Sequence, residues 1–294
     1  MRKILNLENK HMIFGAYIQS SLETETSSKG NQVKWSKDGL WVKADFLGYE
    51  GLSECLASWV AANTNIGNFA PITKYHTCNL LMVESKSPHN GCYSINFLGK
   101  DESCITLGRL LETEVQGDCK KRFDKLSTKD KISTIVDIVS DITNIPNFGE
   151  WLTCLLEFDS LILNEDRHFF NIAVIATNSG YRIMNLFDSG AAFCSDTQKD
   201  YPLTIPTHIC IRNVKSKPFS TDFKKQVNAC RELYGTQLRV NLDSADIHDD
   251  LLSNFGIYSA EVQGRALSIL RHQLDVWKKH SNESTALSKS NIFT

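Results

Sequence analysis

The sequence predicts an α+β fold of two lobes, a small strand-rich N-lobe over residues 1–97 followed by a larger helical C-lobe over 98–280. Three observations predict it. Apolar runs of strand length crowd the first third of the chain, with one helical pattern among them. After residue 105 apolar residues recur at helical spacing over longer stretches. One β-hairpin pattern interrupts those helices, directly after a cluster of charged residues. With 294 residues, 41% apolar and 22% charged, the chain can bury a large core and is not disordered along most of its length.

In chain order, Met12–Ile18, Gln32–Trp35 and Leu40–Phe46 have strand composition, and the first two are separated by a polar turn, SSLETETSSKGN, holding Gly30. Leu52, Cys55, Leu56, Trp59 and Val60 repeat at helical spacing, with Gly67 as a stop. Leu80–Val83 and Cys92–Phe97 are two more strand-length runs. Ser127 with Asp130 forms a capping pattern ahead of Ile132, Ile135, Val136, Ile138 and Val139, and a second apolar helix covers 147–163. Ile172–Ala176 and Tyr181–Phe187 flank the turn TNSG as a hairpin. The remainder, 219–280, reads as amphipathic helix, and 281–294 as a flexible tail.

The balance of 32 Lys and Arg against 34 Asp and Glu gives no electrostatic reason to expect nucleic acid or an anionic membrane as partner. No apolar run reaches the roughly 18–20 residues of a membrane helix. Asn6, Glu8 and Lys10 break up any leader-like stretch at the start, so the expected location is cytoplasmic, with export lacking a readable signal as the other route. The nine cysteines include no CxxC and read as buried small hydrophobes in a reducing compartment.

Chemistry concentrates in Leu161–Gly190. An apolar helix ends in Asn164-Glu165-Asp166-Arg167-His168, Asn171 follows, and after the hairpin comes Asp188-Ser189-Gly190. Two carboxylates and an amide oxygen are hard donors of the kind Mg²⁺ takes beside phosphates, and a carboxylate can accept a hydroxyl proton in phosphoryl transfer. The order D-x₄-N then D-x-G is how protein kinases arrange a base, a metal-binding amide and a metal-binding carboxylate. Upstream, Lys43 lies within a strand between Val42 and Ala44, where an unpaired ammonium would be costly. Glu50 and Glu54, four apart on the next helix, both qualify as its partner. There is no GxGxxG and no GxxxxGK[ST]; Thr26–Trp35 stands where a phosphate-covering turn would be.

On these residues the chain resembles the HipA-like serine/threonine kinases, in particular their short forms of the cell-translocating kinase A type, whose two-lobed protein-kinase-like fold is related to that of phosphatidylinositol 3-kinases. The family's phosphate loop, S-S-x-G-x-Q-x-K, reads Ser27-Ser28-Lys29-Gly30-Asn31-Gln32-Val33-Lys34. The resemblance implies ATP and Mg²⁺ as cofactors. Ser27, Ser28, Gly30, Lys34 and Lys43 would serve the nucleotide phosphates. With Leu56-Ala57 as anchor, Glu50 would pair with Lys43. Adenine would lie near Ser94–Leu98, against Ile95 and Phe97. Asp166 would be the catalytic base, His168 the organiser of its loop, and Asn171 and Asp188 the metal ligands. The implied activity is phosphoryl transfer to Ser or Thr of a protein substrate, including autophosphorylation of the Ser27–Ser28 loop, in a bacterial kinase or toxin. A nucleotide-binding pseudokinase or regulator is the alternative, then a lipid or small-molecule kinase. The family often carries Lys immediately before the metal-binding Asn; Phe170 stands there, leaving Arg167 or Lys34 as replacements. The family's N-terminal subdomain is not seen ahead of the phosphate loop, so it would be missing or separately encoded, and that subdomain or an antitoxin would be a partner.

Overall fold

The computed structural model describes residues 12–16, 34–82, 88–114, 123–253 and 255–290. The predicted phosphate loop, with Ser27, Ser28 and Gly30, lies outside them. The N-lobe sheet has five strands, β1 (Met12–Ala16), β2 (Lys34–Lys37), β3 (Leu40–Ala44), β4 (His76–Met82) and β5 (His89–Ile95), in the order β1-β4-β5-β3-β2. β1 runs parallel to β4, and the other pairings are antiparallel. Asp38 and Gly39 both have positive φ, 52° and 77°, which makes the β2–β3 connection the tight turn that suits a twisted hairpin.

Helix α1 (Glu50–Ala62) packs on β4 and β5. It crosses β5 where two glycines meet: a Cβ on Gly51 would come within 2.6 Å of the Gly91 carbonyl carbon, and one on Gly91 within 2.2 Å of the Lys43 carbonyl oxygen. The helix stops at Asn63, ahead of the expected Gly67, which falls in a 3₁₀ turn over Ile66–Asn68.

Residues 96–102 lead from β5 to a second, three-stranded antiparallel sheet of β6 (Ser103–Thr106), β7 (Ala173–Thr177) and β8 (Gly180–Ile183). The helices of the C-lobe are α2 (Leu107–Glu114), α3 (Thr128–Thr143), α4 (Phe148–Ile162), α5 (Thr207–Asn213), α6 (Phe223–Tyr234) and α7 (Ala260–Ser290). Ser127 caps α3 as predicted, its side chain accepting from the Asp130 N–H.

The C-terminal third differs from the sequence pattern in one respect. The stretch 219–280 is two helices, not one amphipathic run. Gly235, with φ of 74°, ends α6, and the backbone N–H groups of Gln237 and Leu238 turn away to the buried Glu157 carboxylate, at 3.0 and 2.6 Å. Helix α7 runs on into the segment expected as tail, as far as Ser290.

One hydrophobic core runs through both lobes: Leu52, Leu56 and Val60 of α1 belong to the same cluster as Leu152, Leu156 and Phe158 of α4. A smaller cluster of Val42, Ala44, Cys78, Leu80 and Tyr93 covers the opposite side of β3 from Lys43. The described cysteines are free thiols, and seven of them are buried. One of these, Cys92, sits opposite Lys43 in the β3–β5 ladder. Among the described residues no helix is long and apolar enough to cross a membrane.

Candidate active site

Alternation along β3 sends Val42 and Ala44 to one face and Lys43 to the other, toward α1. There the Lys43 ammonium bonds Glu54 Oε1 and, at 2.8 Å, Asp188 Oδ1. The partner on α1 is therefore Glu54 and not Glu50. Residue 54 lies almost one turn past the Gly51–Gly91 crossing and meets the lysine, while Glu50 curls back to accept the N–H groups of Phe46 (3.3 Å), Leu47 (2.6 Å) and Gly48 (3.1 Å) at the helix start. The second Glu54 oxygen accepts from the Ser189 N–H at 2.8 Å, so this carboxylate, 1% exposed, ties the N-lobe helix to the Asp188 loop.

Asp188 has a φ of 57°, in the left-handed region, just before Ser189 and Gly190. Burial opposes its ionisation, but Lys43, Lys34 and Arg167 outweigh that and hold the carboxyl well below the usual range. Lys34 faces Lys43 across the β2–β3 ladder. Burial likewise works against the Lys43 charge, and Asp188 and Glu54 reverse it, so the ammonium stays protonated. Glu54 is pushed up by its burial, with Lys43 pulling against it.

The loop after α4 is built on Asp159 and Arg167. Arg167, 1% exposed, donates from Nε and Nη2 to Asp159 (2.8 and 3.1 Å), and from Nη1 to the carbonyls of Asn171 (2.8 Å) and Phe187 (2.9 Å). Asn164 closes the same Asp159 carboxylate at 2.8 Å. One guanidinium thus fixes the Asp166 loop, Asn171 and the segment entering Asp188 relative to one another. The Asn171 amide N–H donates to the Asp166 carbonyl at 2.9 Å, and the amide oxygen is the side chain's acceptor atom.

The His168 Nδ1 accepts the Phe170 N–H at 3.2 Å. Its Nε2 is buried without a hydrogen-bond partner, 3.8 Å from Asp166 Oδ2. Burial lowers the His168 pKa despite the pull of Asp166 and Asp188, so the ring is neutral with its proton on Nε2. Asp166 Oδ1 receives Lys217 Nζ at 2.7 Å. Sequence reasoning missed Lys217: it stands in a polar run, Val214–Thr221, that carries no periodicity or motif.

Ile95, at the end of β5, is 72% exposed, and Phe97 packs against the cluster of Ala173, Ile175 and Met184. Ile95 thus closes β5 and Phe97 lies on the interlobe segment, with an apolar surface of the second sheet beneath Phe97.

Among the described residues no group of three or more His, Cys, Asp or Glu gathers to hold a metal on protein atoms alone. An ionised carboxylate at Asp188 and an amide oxygen at Asn171 are a partial, hard-oxygen set, and such a set fits Mg²⁺ completed by phosphate oxygens and water.

The chain superposes on the crystal structure of a Helicobacter pylori proinflammatory kinase, CtkA, with a TM-score of 0.59 and 14% identity, over 89% of this chain and 94% of that one. No protein-family profile and no curated protein sequence matches it. The architecture, two small sheets joined by an interlobe segment and a helical lobe behind the second, is the two-lobed kinase-like fold.

Proposed function

We propose that the chain is an ATP- and Mg²⁺-dependent kinase that transfers a phosphoryl group to Ser or Thr hydroxyls of a protein, including its own Ser27–Ser28 loop. The observation that carries this reading is Lys43, a buried ammonium shared by Glu54 and Asp188 beside the Asp166–Asn171 loop. A buried lysine shared by two carboxylates is an expensive arrangement for stability alone, and it suits a site where one carboxylate is to be taken over by a cation.

In the reaction Lys43 draws the nucleotide phosphates into the cleft, and Glu54 keeps the ammonium aimed. Asn171 and Asp188 would hold Mg²⁺, which when bound supplies charge neutralisation for the phosphates. Asp166 accepts the acceptor hydroxyl's proton as the new O–P bond forms. The neutral His168, whose Nδ1 holds the Phe170 N–H, organises the loop rather than transferring a proton. Catalysis is then mainly alignment and charge compensation around a loose transition state.

The test is transfer of labelled phosphate from ATP with Mg²⁺ to a generic protein acceptor and to the chain itself, mapped by mass spectrometry. Label in the parent and its loss in Asp166→Asn and Asp188→Asn, with unfolding midpoints near the parent's, is the expected result. Nucleotide binding without transfer would put the regulator reading in its place.

A further inference from the structure

Phe170 occupies the position before Asn171, and its ring lies over Gly108 of α2, where a Cβ would come within 2.6 Å of it. The catalytic loop therefore presents an aromatic side chain there and no charge. Arg167 cannot make good the loss, because its nitrogens are committed to Asp159, Asn171, Phe187 and Ser189 inside the core. Lys34 belongs to the Asp188 side of the cleft, on β2.

A cation reaches Asp166 from another direction. Lys217, 51 residues on, places Nζ 2.7 Å from Asp166 Oδ1 with its side chain 37% exposed. The loop carrying it is held in shape. The Ser216 N–H donates to the Thr221 carbonyl (3.1 Å) and its hydroxyl to the Ser220 carbonyl (2.6 Å). Gln226 of α6, fully buried, accepts the Phe219 and Ser220 N–H groups at 2.9 and 3.3 Å and donates to the Lys217 carbonyl at 3.0 Å. Phe219 packs edge-on to Phe169 of the catalytic loop, ring centroids 5.4 Å apart. A buried amide spending three hydrogen bonds on one loop, and an aromatic pair docking that loop under Asp166, fix where the ammonium stands.

We propose that Lys217 is a catalytic residue that touches the transferred phosphoryl group, supplying from the loop before α6 the positive charge that Phe170 leaves out of the catalytic loop. The inference rests on the phosphoryl-transfer reading above. A carboxylate base must approach a phosphoryl group whose equatorial oxygens are negative, and an ammonium between them removes that repulsion. As the acceptor oxygen bonds to the γ-phosphorus, the bond from phosphorus to the bridging oxygen breaks and ADP leaves with its electron pair. The hydroxyl proton passes to Asp166. Lys217 keeps all its protons and shifts from the carboxylate to a phosphoryl oxygen as negative charge there becomes the larger.

The experiment compares the parent with Lys217→Met and Lys217→Arg in two readouts. Binding of the Mg²⁺ complexes of β,γ-imido-ATP and ADP is measured by titration calorimetry. Lys217→Met weakens the imido analogue by about tenfold and leaves ADP unchanged, since only the former carries the third phosphate. In steady-state transfer, Lys217→Met lowers kcat by about 10²-fold with a smaller change in KM for ATP, and Lys217→Arg recovers most of it. Unaltered discrimination between the two nucleotides, equal weakening of both, or a Met variant as fast as or faster than the parent would each overturn the assignment. A parent that neither transfers phosphate nor binds nucleotide instead removes the kinase reading, and this inference with it. If the parent binds but does not transfer, the binding comparison still decides.

Discussion

Arg167 and Lys43 are both buried cations held by carboxylates, and they differ in what surrounds them. The Arg167–Asp159 pair is 1% exposed on each side and closed on itself: Asn164, two backbone carbonyls and the Asp159 carboxylate take up the hydrogen bonding. The Lys43 site is unbalanced, with one ammonium facing two carboxylates, and its Asp188 member is 16% exposed toward the cleft. The first is a closed rivet, and the second holds a surplus of negative charge. Buried charge by itself therefore does not mark function; a surplus of one sign next to a cleft does.

Breaking the rivet should have the largest effect. Arg167→Met leaves Asp159 as an uncompensated buried charge and should cost about 3–5 kcal/mol of unfolding free energy in urea titrations. Adding Asp159→Leu should return part of it, a coupling that a double-mutant cycle measures. At the cleft the ranking reverses. Glu54→Gln should lower kcat by about 10²-fold with a smaller change in stability, because it loosens Lys43 while keeping the shape of the pair. Its neighbour gives the control: Glu50→Gln should cost about 1 kcal/mol by weakening the bonds to residues 46–48, with turnover kept. Activity lost at Glu50 and kept at Glu54 would contradict the pairing described here.

The last effect, spread over several pH units, belongs to a carboxyl just past Lys43. Burial, then the nearby Glu50, push the pKa of Asp45 up to about 8, against the hydrogen bonds donated by the Gly51 N–H and the Tyr258 hydroxyl. The folded chain thus keeps a proton that the unfolded chain gives up near pH 4. Its stabilising contribution is whole below that pH and fades as pH rises through about 8. Thermal midpoints should fall between pH 5 and 8 by an amount worth about 1–2 kcal/mol, reduced because Asp45 is only half-buried. Asp45→Asn should flatten the profile, and an equal slope in that variant would assign it to other groups.

What the sequence made legible was local. The alternation around Lys43, the capping Ser127–Asp130 pair and the strand pattern around TNSG are each decided within a few residues by period and cap chemistry. The order of Asp166, Asn171 and Asp188 was legible for the same reason. Choices made across the fold were not. Glu50 and Glu54 share a helical face, and only the Gly51–Gly91 crossing selects between them. Lys217 meets Asp166 through a loop whose shape is set by Gln226, and neither residue stands out in its own segment. The break after Tyr234 depends on the buried acceptor Glu157, 80 residues upstream of Gln237.

The position of Cys92 has a practical side. Its thiol lies opposite Lys43 in the ladder, is fully buried, and is pushed well above its ordinary pKa by that burial. In the closed state it is therefore close to inert toward alkylating reagents, and it reacts only when β3, β5 and α1 part. The native chain thus carries its own clock for local opening of the N-lobe sheet, placed next to the lysine that nucleotide would engage, without a label having to be engineered in.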